Sequence, residues 1–87
     1  MSCHEDVLIA AKKIVCRKKA NQFTVPEIKT LMLDEGTEHN SETIDKHIRS
    51  RCCANAPDNH GTTYNYFERI RRGIYKIRDP YLEHKIQ

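Results

Sequence analysis

A chain of 87 residues fits one domain with a modest core and leaves no room for a second. With 38% hydrophobic and 31% charged residues, the composition suits a packed domain under a heavily charged surface and not a disordered chain. No apolar run approaches the roughly 20 residues that span a bilayer, and Met1 to Asp6 has neither the basic flank nor the apolar block of a signal peptide, so a cytoplasmic protein without a membrane partner is expected.

The net charge of +3 says less than its distribution. Residues 1–45 carry six Lys/Arg against eight Asp/Glu, residues 46–78 carry eight against two, and residues 79–87 carry one against two. The middle block stands at +6 (eight minus two). Such a block is either plain solvated surface or a match for a polyanion, since each cation that meets a backbone phosphate releases a condensed counterion.

In chain order, Val7, Leu8, Ala11, Ile14 and Val15 recur at helical spacing and predict a first helix from about His4 to Lys19. Glu5 and Asp6 in its first turn and Arg17, Lys18 and Lys19 in its last suit the helix dipole. Gln22-Phe23-Thr24 reads as a short extended piece. Thr24-Val25-Pro26-Glu27 then forms a capping box with proline inside the first turn, opening a second helix whose buried face is Ile28, Leu31 and Met32 and whose stop is Gly36. After Thr37 to Asn40, either Asn40 or Ser41 caps a third helix running to about Cys52, with Ile44, His47 and Ile48 inward. Its opposite face carries Glu42, Lys46, Arg49 and Cys53, flanked by Thr43 and Ser50 on one side and Asp45 on the other.

Residues 53–66 are rich in Asn, Pro, Gly and Thr and read as a long loop. Phe67 to Ile70 and Ile74 to Ile77 alternate around Arg71-Arg72-Gly73 as a β-hairpin, and Asp79-Pro80 ends the strand. The order helix, short strand, helix, helix, hairpin predicts an α+β winged helix-turn-helix fold: three helices with a small antiparallel sheet, whose hairpin is the wing. Residues 1–80 form the domain and residues 81–87 a C-terminal tail.

The segment Phe67-Glu-Arg-Ile-Arg-Arg-Gly-Ile-Tyr-Lys-Ile77 resembles the wing of bacterial winged-helix modules ending in aromatic-x-Arg-x-x-x-Gly-x-Tyr-x-aliphatic. With Ala54 to His60 and the helix before them, it is similar to a small uncharacterised family of winged-helix domains found alone or fused to restriction-type nucleases, and more distantly to HARE-HTH domains. The resemblance covers roughly Val7 to Ile77. It implies a DNA-binding module in defence against foreign DNA or in a mobile element; regulation of transcription is the other expected role. One departure is Arg71-Arg72-Gly73 in place of Gly-Arg-Gly, which predicts a turn less tight and more basic.

In such a fold the third helix enters the major groove and the hairpin tip reaches backbone or minor groove beside it. Lys46 and Arg49, one turn apart, are the candidate groove contacts, with Thr43 and Ser50 beside them. Arg71 and Arg72 at the tip exceed what protecting a sheet edge requires. Arg69, Lys76 and the loop residues Asn59, His60 and Tyr64 are the supporting candidates, although Asn and Asp in loops also serve turns alone. Glu42 and Asp45 oppose a polyanion unless one accepts from a cytosine amino group.

No metal site or cofactor is expected: Cys52, Cys53, His47 and His60 are zinc-ligand types, but adjacent cysteines rarely chelate one tetrahedral ion and no C-x-x-C pair exists. No enzyme is expected either, because Asp58 and His60 lack a nucleophile, a charge stabiliser and a pocket. Double-stranded DNA is the expected partner, the alternative being a winged helix that docks on another protein, as a phage or plasmid factor does on a host protein. No heptad seam fixes an oligomeric state.

Overall fold

The computed structural model describes residues 3–53, 64 and 66–82, without the side chains of Ser50, Arg51 and Pro80. It contains helix α1 (Cys3–Lys18), strand β1 (Phe23–Thr24), helix α2 (Val25–Asp34), helix α3 (Ser41–Lys46) continued by a π-helical segment (His47–Arg51), strands β2 (Phe67–Arg71) and β3 (Ile74–Ile77), and the one-turn helix α4 (Asp79–Leu82). The strands form one antiparallel sheet in the order β1-β3-β2. This is the α+β winged helix-turn-helix arrangement: three main helices, with the β2–β3 hairpin as wing. No helix among the described residues is long and apolar enough to cross a membrane.

The starts of α2 and α3 are written in the chain. Thr24 Oγ1 accepts from the Glu27 amide at 3.4 Å, and the Glu27 carboxylate accepts from the Thr24 amide at 2.8 Å, closing both halves of the capping box at the start of α2. Asn40 caps α3, its Oδ1 accepting from the Thr43 amide at 2.8 Å. At the far ends, α1 and α2 stop in the same way. The amides of Ala20 and Thr37 donate to the carbonyls of Val15 and Met32, while those of Lys19 and Gly36 donate to Cys16 and Leu33. Both are Schellman motifs, with the left-handed residue at Lys19 (φ 55°) and Gly36 (φ 77°).

The core lies where the helices meet the sheet. Val7, Ala11, Ile14 and Val15 of α1, Ile28, Leu31 and Met32 of α2, and Ile44 and Ile48 of the third helix are all buried, as their spacing predicts. Cys3 and Ala10 complete the α1 face, while Leu8 is only half-buried. From the sheet come Phe23, Phe67, Tyr75 and Ile77. Phe23 meets Phe67 edge-on at 4.8 Å and lies 6.0 Å from Tyr75. Beside β1, the Asn21 side chain imitates one more strand residue: its Nδ2 donates to the Ile77 carbonyl at 2.8 Å and its Oδ1 accepts from the Ile77 amide at 2.9 Å.

The hairpin departs from the expected geometry in one respect. Arg71 pairs with Ile74, so the turn is only Arg72-Gly73, with Gly73 at φ 79°. It is tight in spite of the arginine that replaces glycine at 71. The irregularity sits instead between Arg69 and Arg71 as a β-bulge, and Ile70, expected to alternate with its neighbours, is exposed there.

The two Schellman ends make opposite predictions. Lys19 holds a left-handed conformation with a side chain that disfavours it, so Lys19→Gly should stabilise the domain by about 1 kcal/mol. A Cβ on Gly36 would meet nothing within 4 Å, so Gly36→Ala should destabilise by about 1 kcal/mol through backbone strain alone. Urea unfolding of both variants checks the pair of signs.

Candidate functional site

The third helix does not continue as an ideal α-helix to Cys52. α3 gives way to the π-helical segment at His47, and the Cys52 amide donates to the His47 carbonyl at 2.7 Å, the i→i+5 bond of that geometry. The wider turn rotates everything after it relative to 100° per residue. Cys53, expected on the exposed face beside Arg49, is consequently buried, forming a bridge to Phe67 while the Phe67 amide donates to the Cys52 carbonyl at 2.7 Å. The end of the helix is thereby held against the start of β2. His47 is half-buried, and its Nδ1–H donates to the Thr43 carbonyl at 3.0 Å.

Lys46 and Arg49 remain exposed on the outer side of this helix, and Thr43 is half-buried on their flank. The Arg49 Nε–H donates to Asp45 Oδ1, and Lys29 of α2 lies 3.1 Å from Asp45 Oδ2. Burial pushes the Asp45 carboxyl up, but the hydrogen bonds from Lys29 and Arg49 outweigh it and hold the group below its ordinary range, so it is ionised at neutral pH.

The hairpin cations divide by strand alternation. Arg69 pairs directly with Tyr75, the β3 residue that faces the core, and therefore lies on the side of the sheet turned toward the helices. Glu68 pairs with Lys76 on the other side, which separates Lys76 from Arg69. Arg71 and Arg72 are exposed at the tip. Tyr75 reports which groups converge. Burial pushes its phenol above the ordinary value of 10, Arg49 and Arg69 pull against that, and Cys53 and Asp45 reinforce it. The guanidinium groups of the third helix and of β2 thus act on one side chain, although 20 residues separate them in sequence.

Of the loop candidates, Tyr64 is half-buried and stacked on His4 of α1, with ring centroids 3.8 Å apart and planes 7° from parallel. His4 Nδ1 also lies 3.2 Å from the Tyr66 hydroxyl. Tyr66 meets Tyr81 edge-on at 4.9 Å, and the Tyr81 hydroxyl donates to the Tyr64 carbonyl at 3.4 Å. This aromatic cluster fastens the end of the loop and the first turn after the sheet to the start of α1. Periodicity gave no hint of it, since its members come from three distant stretches. Asn59 and His60 lie outside the described residues, as does the side chain of Ser50. Among the described residues no group of three His, Cys, Asp or Glu side chains is placed to hold a metal ion, and all four cysteines are free thiols.

A family model described as a domain of unknown function, DUF7669, matches residues 7–77. The chain belongs to that family. No curated protein and no solved structure matches it. In this DUF7669 domain the matched span runs from Val7 in α1 to Ile77, the last residue of β3, enclosing both the third helix and the wing.

The His4 cluster should make the stability of the DUF7669 domain sensitive to acid. Burial lowers the His4 pKa from its ordinary 6.5, with His47 in the same direction and Glu5 and Asp6 opposed. A depressed histidine pKa means the unfolded chain binds the proton more readily, so this contribution is intact above pH 6.5 and declines as pH falls toward the folded value. Unfolding midpoints of the wild type should therefore drop more steeply between about pH 7 and pH 5 than those of His4→Phe, which keeps the stacking and loses the titration.

Proposed function

We propose that this domain binds double-stranded DNA, with the third helix in the major groove and the wing against the adjacent backbone. The observation that supports the reading is the placement of exposed cations on both elements, Lys46 and Arg49 on the third helix and Arg71 and Arg72 at the hairpin tip, with Arg69 paired across the sheet from Tyr75. A duplex groove admits one α-helix and presents phosphates on either side of it, so a helix flanked by a basic hairpin is complementary in shape and sign. Lys46 and Arg49 are assigned to base edges or phosphates inside the groove, Arg71 and Arg72 to backbone or minor groove, and Arg69 to support between them. Lys76 belongs to the opposite side of the wing. Regulation of transcription and defence against foreign DNA are the roles this activity would serve.

Asp45 and Ile70 favour the second reading, a winged helix that docks on a protein. Asp45 sets a carboxylate inside the basic surface, and Ile70 exposes an apolar side chain on the wing. Either feature suits a mixed protein surface better than a phosphate backbone.

A mobility shift with random-sequence duplex separates the two. DNA binding predicts complexes that weaken steeply with salt. In Lys46→Ala/Arg49→Ala and in Arg71→Ala/Arg72→Ala, affinity should fall and the slope of log K against log salt should shrink by about one for each phosphate contact removed. Unchanged affinity and slope in both variants would sink the DNA reading, and a wild type without any salt-sensitive shift would leave the protein-docking one.

A further inference from the structure

The Lys29–Asp45–Arg49 group lies at the centre of the proposed groove-facing surface and contains its one described acid held between two cations. An exposed i,i+4 pair such as Asp45–Arg49 contributes little by itself, because two flexible side chains must be ordered to make it. Here the carboxylate is ordered by a third group. Lys29 comes from α2, the helix packed against α3, and occupies Oδ2 at 3.1 Å, leaving Oδ1 for Arg49. Asp45 and Lys29 are about equally shielded, at 30% and 26% side-chain exposure, whereas Arg49 is at 53% and projects outward.

We infer that Asp45 is a positioning residue for base recognition: anchored by Lys29, it holds Arg49 so that the outer edge of the guanidinium reads a guanine in the major groove. The inference rests on the DNA-binding reading and deepens it. The contact through Nε decides the geometry. A guanidinium has five donors in one plane, and binding through Nε fixes that plane while the Nη1/Nη2 edge keeps its parallel donors for a bidentate acceptor. The N7 and O6 atoms of guanine are such an acceptor in the major groove, and no other base edge there offers two adjacent acceptors. Asp45 does not contact the duplex in this arrangement. Its negative charge opposes every phosphate, so its contribution is to discrimination between sequences and not to affinity.

The test is selection from a pool of randomised duplexes with the full chain, followed by affinity measurements on the selected duplex and on the same duplex with its guanine pair replaced by A·T. Wild type should prefer the guanine duplex by about tenfold or more. Asp45→Asn should hold the A·T duplex as tightly as wild type or more tightly, yet lose most of the preference. Arg49→Lys should lose the preference with its salt slope unchanged, because lysine keeps the charge without the two-pronged edge. If Asp45→Asn does not fold, Lys29→Met removes the anchor alone and should also reduce the preference. A preference that survives Asp45→Asn or, failing that, Lys29→Met overturns the inference and makes Asp45 a repulsive surface acid. Wild type that binds duplex with salt sensitivity but selects no guanine overturns the inference and spares the binding reading, whereas wild type that binds no duplex overturns both.

Discussion

The position of Phe23 is the constraint on which the other features rest. β1 is only two residues long, yet it places this ring in the fully buried centre of the molecule, against Phe67 of β2 and Tyr75 of β3. Because β3 lies between β1 and β2, fixing Phe23 beneath the sheet fixes the plane of the whole hairpin. The capping box begins in the same strand, so the direction of α2 is tied to the sheet through Thr24. From these two adjacent residues follow the crossing of α2 over the core and the place where α3 can lie.

The π-helical segment does for the third helix what Phe23 does for the hairpin. An ordinary α-helix through Cys53 would leave that cysteine in solvent beside Arg49. The wider turn brings Cys52 and Cys53 alongside β2, where the Cys52 carbonyl accepts from the Phe67 amide and Cys53 bridges to Phe67. The end of the helix is therefore joined to β2 at Phe67. A local change in helical geometry sets the relation between two surfaces that chain order leaves undetermined.

Charge is organised differently in the two halves. In the first 45 residues, Lys13 pairs with Glu35, Lys18 with Glu27 and His39 with Asp6, and each of these contacts ties α1 to α2 or to the connection after it. Such exposed pairs contribute modestly to stability. They do mean that several cations of the acidic half face carboxylates, while Lys46, Arg71 and Arg72 stand exposed in a segment that has few acids to offer. Asp45, at the junction of the two halves, is drawn into both.

Much of this was legible in the residues themselves. Helix starts and stops depend on neighbours within a few positions, so Thr24–Glu27, Asn40 and Gly36 announce them, and the 3.6-residue recurrence of Val7, Ala11, Ile14 and Val15 identifies a buried face without knowledge of what buries it. The hairpin was equally plain from Gly73 between two alternating runs. The Schellman end at Lys19 was not, because nothing about lysine announces a left-handed residue. Nor could periodicity show the π turn, the bulge at Ile70, the stacking of Tyr64 on His4, or the separation of Lys76 from Arg69. Those features arise when segments far apart in the chain compete for the same volume and the backbone adjusts its phase to satisfy both. The chain alone determined which elements form and which faces are apolar, since these are local energies. Which cations share a side was decided only in three dimensions, because a single added residue in a turn or strand redirects every side chain beyond it.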